Sequence, residues 1–213
     1  MKVKFCGITN SEDAKQAIEL GVDYLGFIVD FPKSPRSISI DKFLELAESI
    51  KKDFKDKVKI VAVTVSMSEE KLEKLAESGL VDVIQFHGNE APEICGKFKN
   101  RVEVWKNISI TNYKLQITNY KNIVDKFLMD ATSIKEKLEG KYNKFEDFDE
   151  FKRLRDEGYK LILAGGLNPE NIEDYILKLD PEIVDVASGI EEYPGKKSFV
   201  KMEKFVLKTK KHS

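Results

Sequence analysis

Eight short apolar runs, separated by longer stretches, organise this chain. The runs are rich in Val, Ile, Leu and Phe, which favours buried strands, while several intervening stretches have the spacing of amphipathic helices. The runs occupy residues 3–6, 24–29, 58–65, 81–86, 102–105, 123–130, 159–164 and 183–188. Strand followed by helix, eight times over, predicts an α/β fold of the closed (βα)₈, or TIM, barrel type.

The length of the chain is consistent with one domain. No proline-, glycine- or serine-rich linker divides the 213 residues, so we expect a single barrel domain over residues 1–213. An open, doubly wound sheet is the alternative architecture. The turn after the first run, KFCGIT, lacks the G-x-G-x-x-G pattern of dinucleotide-binding proteins of that class, which favours the barrel.

Local signals predict where some helices begin and where the connections are unusual. Ser11 and Ser68 are expected N-caps, and Asn168 is another, with Pro169 at the first helical position. The fifth helix should be short or irregular, because residues 107–122 are rich in β-branched residues and Asn. Residues 131–145 exceed the usual length of a connection, so we expect a flexible loop there.

Charge and composition exclude several classes of function. The 36 basic and 37 acidic residues leave a net charge of −1, which favours neither nucleic acid nor an anionic membrane as a partner. No apolar run approaches the roughly 20 residues of a spanning helix, and no signal-peptide pattern is present. We therefore expect a soluble, cytoplasmic protein. Cys6 and Cys95 have no CxxC spacing, which indicates neither a disulfide nor a zinc site.

The site of a barrel lies at the carboxyl ends of its strands, and these ends carry most of the chemistry in this sequence. The candidate residues at or just beyond them are Cys6, Arg36, Gln85, His87, Asp130, Gly165, Gly166, Ser188 and Gly189.

Two consecutive strand ends predict a phosphate site. Gly165 and Gly166 follow the seventh run, and Ser188 and Gly189 follow the eighth. Backbone amides left open by glycine can cradle a phosphate between these loops, although glycines also serve simply to permit turns. The occurrence of glycines at the ends of two consecutive strands favours the phosphate site.

Cys6 is a candidate base or nucleophile, because a thiolate at a strand end can react. The alternative is a small buried residue. Strand alternation places Lys4 on the same inward face, below Cys6. A buried lysine needs a partner, and Asp185 lies on the eighth strand, next to the first in a closed barrel. We predict that Lys4 and Asp185 pair.

The remaining candidates each have a structural alternative. Asp130 can act as a general acid or base, serve as a ligand, or cap the next turn. Arg36 can bind a carboxylate or phosphate, or remain a solvated loop charge. His87, in QFHG with Gln85, can contact a ligand or be satisfied by backbone. One histidine outside the chain end and no nearby carboxylate pair indicate no metal site.

Taken in series, several segments carry a resemblance to a known family. They read KFCGIT, GFIVDFPKSPRSIS, VIQFHGNE, FLMDA, LAGGLNPENI and VDVASGIEEYPGKK. In this order they resemble the phosphoribosylanthranilate isomerase family of tryptophan biosynthesis. The resemblance implies an Amadori rearrangement of a small phosphosugar substrate, N-(5-phosphoribosyl)anthranilate, with no metal or redox cofactor. It also implies that Cys6 is the general base, Asp130 the general acid, and Arg36 a neighbour of the anthranilate group.

The chain departs from the family pattern in two places. After the sixth run it reads LEGKYNKFEDFDEF, with Gly140 as the only glycine, where the family usually has G-G-x-G-x-x-F-D-W. Ala187 stands where the family commonly has the first serine of SSG. The alternatives are therefore another phosphosugar isomerase or epimerase, or a phosphate-binding barrel without turnover, and the sequence leaves the oligomeric state open.

Overall fold

The computed structural model describes residues 1–109, 113–130 and 148–211, and within these ranges eight parallel strands form a closed barrel. The strands are β1 (Lys2–Cys6), β2 (Tyr24–Val29), β3 (Lys59–Thr64), β4 (Val83–Phe86), β5 (Glu103–Ser109), β6 (Lys126–Asp130), β7 (Leu161–Ala164) and β8 (Ile183–Val186). Each strand pairs with the next, and β8 pairs with β1 to close the ring. The predicted (βα)₈ barrel is confirmed.

Eight α-helices of the described ranges surround this ring. They are α1 (Ser11–Glu19), α2 (Ile40–Phe54), α3 (Glu69–Glu77), α4 (Pro92–Gly96), α5 (Tyr113–Tyr120), α6 (Phe148–Asp156), α7 (Ile172–Leu179) and α8 (Phe199–Lys210). The fifth helix is short, as expected, with eight residues. The strand before it is longer than the run predicted and extends to Ser109, because residues 106–109 continue the pairing with β6, with Ile108 opposite Met129.

Three further features matter for the site or for the sequence predictions. An antiparallel hairpin of Glu191–Tyr193 and Lys196–Lys197 follows β8. The loop predicted over residues 131–145, with Gly140, lies outside the described residues. None of the helices in the described ranges is both long enough and apolar enough to cross a lipid bilayer.

Two of the three predicted N-caps are wrong, and both errors involve asparagine. The cap of α1 is Asn10, whose side chain accepts a hydrogen bond from the Asp13 backbone N at 2.8 Å, while Ser11 is already helical. Asn10 Nδ2 also donates to the Asp13 carboxylate at 2.9 Å, a second bond that a serine cap cannot make. Ser68 is the N-cap residue of α3, as predicted.

At α7 the predicted cap closes a turn that precedes the helix. Asn168 Oδ1 accepts hydrogen bonds from the backbone N atoms of Glu170 and Asn171, at 2.9 and 3.0 Å. Pro169 lies within this turn, and Asn171 takes the N-cap position of the helix itself. An asparagine that binds backbone two and three residues ahead stabilises such a turn as readily as a helix end.

Large side chains fill the barrel interior at the amino ends of the strands. The rings of Tyr24 and Trp105 meet edge to face, with centroids 5.0 Å apart. Glu103 accepts hydrogen bonds from Trp105 Nε1, at 2.9 Å, and from Lys126. Because this end of the barrel interior is packed, the interior space that the described residues leave for a ligand lies at the carboxyl ends of the strands.

Candidate active site

A cavity of about 510 Å³ opens at the carboxyl ends of the strands. Cys6 at the end of β1 and Asp130 at the end of β6 both line it. The other predicted residues that line it are Arg36, Gln85, His87, Gly165, Gly166 and Ser188. The fold therefore gathers side chains from distant parts of the sequence around one space.

Gly189 is the predicted site residue that does not line this cavity. A Cβ atom at this position would lie 1.9 Å from the Leu167 carbonyl oxygen and 2.9 Å from the Asn168 Cα. The missing side chain therefore allows the loop after β8 to pack against the loop after β7. Gly189 thus brings the two loops together, and its role as a phosphate contact stays a prediction.

The loops after β7 and β8 form the glycine-lined side of the cavity. Gly165 and Gly166 have φ values of +92° and +66°, a backbone conformation that side-chain-bearing residues rarely adopt. Asn171 Nδ2 donates to the Gly166 carbonyl at 2.9 Å and holds this turn. Ser188 lines the cavity beside them. Such a turn can present backbone amides to a phosphate.

The opposite side of the cavity is apolar. It is lined by Ile28 and Phe31 from β2 and its loop, and by Val63 and Val65 from β3 and its loop. In a ring of eight strands β3 lies across from β7, so the apolar wall faces the glycine loops. A ligand with one aromatic end and one anionic end matches this polarity.

Cys6 is nearly enclosed, with 8% of its surface exposed. Burial raises the pKa of its thiol, and the neighbouring Lys4 ammonium acts in the opposite direction without cancelling the effect. Lys4 Nζ donates to Asp185 Oδ2 at 2.9 Å, which confirms the predicted pair. Asp185 also lines the cavity, a position that the sequence analysis did not assign to it.

Arg36 is held by this chain's own carboxylate. Its Nη2 lies 2.6 Å from Glu191 Oε2, and its Nε donates to Glu191 Oε1 at 2.8 Å. Lys197 Nζ, fully buried, also contacts Glu191 Oε1 at 3.0 Å. Burial raises the pKa of Glu191, but hydrogen bonds and charge from Arg36 and Lys197 outweigh it and hold that pKa below its usual range.

The ion pair shows that Arg36 is not a solvated loop charge. The sequence analysis missed Glu191 and Lys197, although both lie in the EEYPGKK segment just after the eighth run. Glu191 lies five residues beyond the end of β8, and Lys197 lies near the far end of the hairpin. Neither position has a distinctive spacing, so their shared role depends on the hairpin that brings them to Arg36.

Gln85 and Asp185 line the cavity, and each has a buried side-chain oxygen without a hydrogen-bond partner among the described residues. Gln85 Nε2 lies 3.3 Å from His87 Nδ1, which brings the two predicted residues together. Gln85 Oε1 and Asp185 Oδ1 are buried, and within the described residues neither has a hydrogen-bond partner. Buried acceptors are costly when unsatisfied, so hydroxyl groups of a ligand would be bound here.

No group of three or more His, Cys, Asp or Glu side chains in the described ranges is arranged to hold a metal ion. The functional groups that line the cavity are one thiol, carboxylates, an arginine, a histidine, a side-chain amide, serine hydroxyls and backbone amides.

Comparison with known proteins identifies relatives whose similarity extends over almost the whole chain. The family model for N-(5′-phosphoribosyl)anthranilate (PRA) isomerase matches residues 3–208. The N-(5′-phosphoribosyl)anthranilate isomerase of Aquifex aeolicus is 38% identical over 210 residues, covering 99% of this chain and 98% of the relative. The protein of the same name from Petrotoga mobilis is 40% identical over 201 residues, covering 92% and 91%.

Solved structures show the same relationship. The crystal structure of phosphoribosyl anthranilate isomerase from Thermotoga maritima has a TM-score of 0.85 and 33% identity, covering 99% of both chains. A complex of such an isomerase with reduced 1-(o-carboxyphenylamino)-1-deoxyribulose 5-phosphate has a TM-score of 0.82, again with 33% identity and 99% coverage of both chains. The chain therefore belongs to the N-(5′-phosphoribosyl)anthranilate isomerase family.

Proposed function

We propose that this protein acts as a single cytoplasmic barrel domain that converts N-(5-phosphoribosyl)anthranilate to 1-(2-carboxyphenylamino)-1-deoxyribulose 5-phosphate in tryptophan biosynthesis. The observation that carries the proposal is that Cys6 and Asp130 line one cavity whose opposite walls are apolar and glycine-rich. Family membership supports it, because the solved relative described above holds a reduced form of this product.

In the proposed mechanism, Asp130 opens the sugar ring as a general acid. It donates a proton to the ring oxygen while the bond between that oxygen and C1 breaks. The lone pair of the anthranilate nitrogen then forms a C=N bond, so the open-chain intermediate is a protonated Schiff base. Proton transfer from a positioned carboxyl group lowers the activation barrier of this step.

Cys6 then acts as the general base on the Schiff base. Its thiolate takes the proton from C2, the electron pair of that C–H bond forms a C1=C2 bond, and the C=N electrons return to nitrogen. The resulting enolamine loses its hydroxyl proton at the C2 oxygen and gains a proton at C1, which gives the ketone. Atoms and electrons balance without a redox partner.

The walls of the cavity orient the substrate between these two groups. The phosphate binds the amides of Gly165 and Gly166 with Ser188, and the anthranilate ring packs beside Ile28 and Phe31 near Arg36. Hydroxyl groups of the ribose satisfy the buried oxygens of Gln85 and Asp185. Fixing both ends of a flexible open-chain sugar removes much of the entropic barrier to proton transfer.

The decisive experiment compares three variants on freshly prepared phosphoribosylanthranilate, followed by its fluorescence in the presence of EDTA. Cys6→Ser and Asp130→Asn should each lower turnover by about a thousandfold or more while product still binds. Cys95→Ala is the matched control, since Cys95 is fully buried in α4, outside the cavity.

Other results would point elsewhere. Near-normal turnover in either site variant would contradict the assigned roles. Wild-type protein that binds product without turnover would indicate a phosphate-binding barrel, and turnover abolished by EDTA would indicate a metal-dependent phosphosugar enzyme.

A further inference from the structure

Lys4 is enclosed in the barrel directly below Cys6. Both side chains point inward from β1, two residues apart, and the Lys4 side chain has no exposed surface. In the sheet register Lys4 pairs with Asp185 of β8, and Cys6 pairs with Gly26 of β2. A charged group is therefore buried next to the residue proposed as the base.

Gly26 leaves the space in which these two groups meet. A Cβ atom built on this glycine would lie 3.0 Å from Cys6 Sγ, 3.0 Å from Lys4 Nζ and 2.9 Å from Lys4 Cε. The sulfur and the ammonium thus converge on the same position beside Gly26. Lys4 Nζ simultaneously donates to Asp185 Oδ2 at 2.9 Å, so its position is fixed from a second strand.

We propose that Lys4 is a positioning residue for the general base, with its buried ammonium stabilising the Cys6 thiolate and Asp185 holding that ammonium in place. The inference rests on the proposed function, since a stabilised thiolate serves catalysis only if Cys6 is the base. Lys4 touches no reacting atom of the substrate and acts through the sulfur.

The charges around Cys6 explain why Lys4 is needed. Burial raises the pKa of the thiol, Lys4 lowers it, Asp185 raises it and Lys197 lowers it. The Arg36 side chain also approaches from the loop after β2, because its Cδ lies against Gly7. The negative charge of Asp130 contributes to raising the pKa of Asp185. Without Lys4, the Cys6 thiolate would lose the ammonium that stabilises it and would remain beside the negatively charged Asp185.

The alternative is that the Lys4–Asp185 ion pair has only a structural role. Buried pairs can often be replaced by apolar residues without loss of stability, so Lys4 and Asp185 are not explained by stability alone. If the pair only holds β1 against β8, its removal should change stability and leave the ionisation of Cys6 as it was. The reactivity of the sulfur separates the two explanations.

The test measures the rate at which iodoacetamide alkylates Cys6 as a function of pH, read by mass spectrometry of the peptide. Lys4→Met should move the midpoint of this profile upward by about one pH unit, which slows alkylation near neutral pH about tenfold. The value of kcat/KM should fall by a similar factor near neutral pH and recover as the pH rises. Lys4→Arg, which keeps a cation, should restore much of both.

Two further variants keep the test informative. Lys4→Gln keeps a hydrogen-bond donor for Asp185 but lacks the charge, so it replaces Lys4→Met in the test if the methionine variant folds poorly. It should shift the alkylation profile in the same direction. Lys2→Met is the matched control, because Lys2 lies exposed on the same strand at the other end of the barrel. It should leave alkylation unchanged.

An alkylation profile in a folded Lys4→Met or Lys4→Gln protein that coincides with the wild-type profile would overturn this inference. That outcome differs from failure of the proposed function, which would appear as normal turnover in Cys6→Ser whatever the Lys4 variants do.

Discussion

Arg36 and Glu191, 155 positions apart in the sequence, form a two-point ion pair beside the cavity. Arg36 Nε donates to Glu191 Oε1 at 2.8 Å and Nη2 donates to Oε2 at 2.6 Å. Such a fork fixes the plane of the guanidinium as well as its position. The hairpin after β8 thereby sets the geometry of a loop that follows β2.

Replacing Glu191 by Gln should weaken substrate binding more than it slows the chemistry. The amide retains one acceptor but loses the charge, so Arg36 is held less firmly, and we expect KM to rise about tenfold with a smaller change in kcat. Steady-state kinetics measure the split. Glu192→Gln, an exposed neighbour in the same hairpin, is the control; equal effects of both substitutions would argue against a specific role for the pair.

Gly189→Ala should disturb the contact between the last two loops. Its Cβ would approach the Leu167 carbonyl oxygen to 1.9 Å, so the backbone must move, and we expect a loss of about 1 to 3 kcal/mol in unfolding free energy. Affinity for inorganic phosphate, measured by calorimetry, should fall as well. In Gly96→Ala, by contrast, the nearest atom is Ile123 Cγ2 at 3.6 Å, and stability should change by less than about 1 kcal/mol.

Lys106→Met should destabilise the protein by breaking a buried ion pair. Lys106 Nζ lies 3.3 Å from Glu90 Oε2, and Glu90 Oε1 accepts a hydrogen bond from the Ser66 backbone N at 2.7 Å. Removing only the lysine leaves a buried carboxylate without its cation, which costs about 3 to 5 kcal/mol. Urea denaturation measures the loss of unfolding free energy. The double variant Lys106→Met with Glu90→Gln should be more stable than Lys106→Met alone. A double variant that is less stable than Lys106→Met would contradict the explanation.

Stability should fall in acid partly through Glu103. Burial raises the pKa of this carboxyl, but hydrogen bonds from Lys126 and Trp105, with the charges of Lys126 and Lys59, outweigh burial and hold the pKa below its ordinary value of 4.5. Because the folded-state pKa is depressed, the contribution is fully present above pH 4.5 and disappears as the pH falls through the folded-state value.

The measurement for Glu103 is the unfolding free energy from pH 7 down to pH 3. Glu103→Gln should be less stable than the wild type at pH 7 and should lose less stability on acidification. Parallel pH curves for the two proteins would show that Glu103 does not contribute to acid unfolding.

Strand periodicity predicted the barrel well, and barrel closure made one long-range contact predictable. Lys4 and Asp185 could be paired in advance because β8 must lie beside β1 and alternation determines which side chains face inward. The N-cap of α1 was harder, since Asn10 and Ser11 are adjacent and both are good caps. The choice depends on the second hydrogen bond to Asp13, which only the coordinates reveal.

The amino-acid sequence alone determined the order of strands and helices, and with it the end of the barrel at which Cys6, Asp130 and the glycine loops meet. Periodicity and turn residues are local properties, so they can be read without coordinates. Only the tertiary structure decided that Glu191 holds Arg36, that Gly189 packs against Leu167, and that Gly26 leaves room for Lys4 beside the sulfur. These contacts join segments far apart in the chain, and their distances depend on the register and twist of the closed sheet.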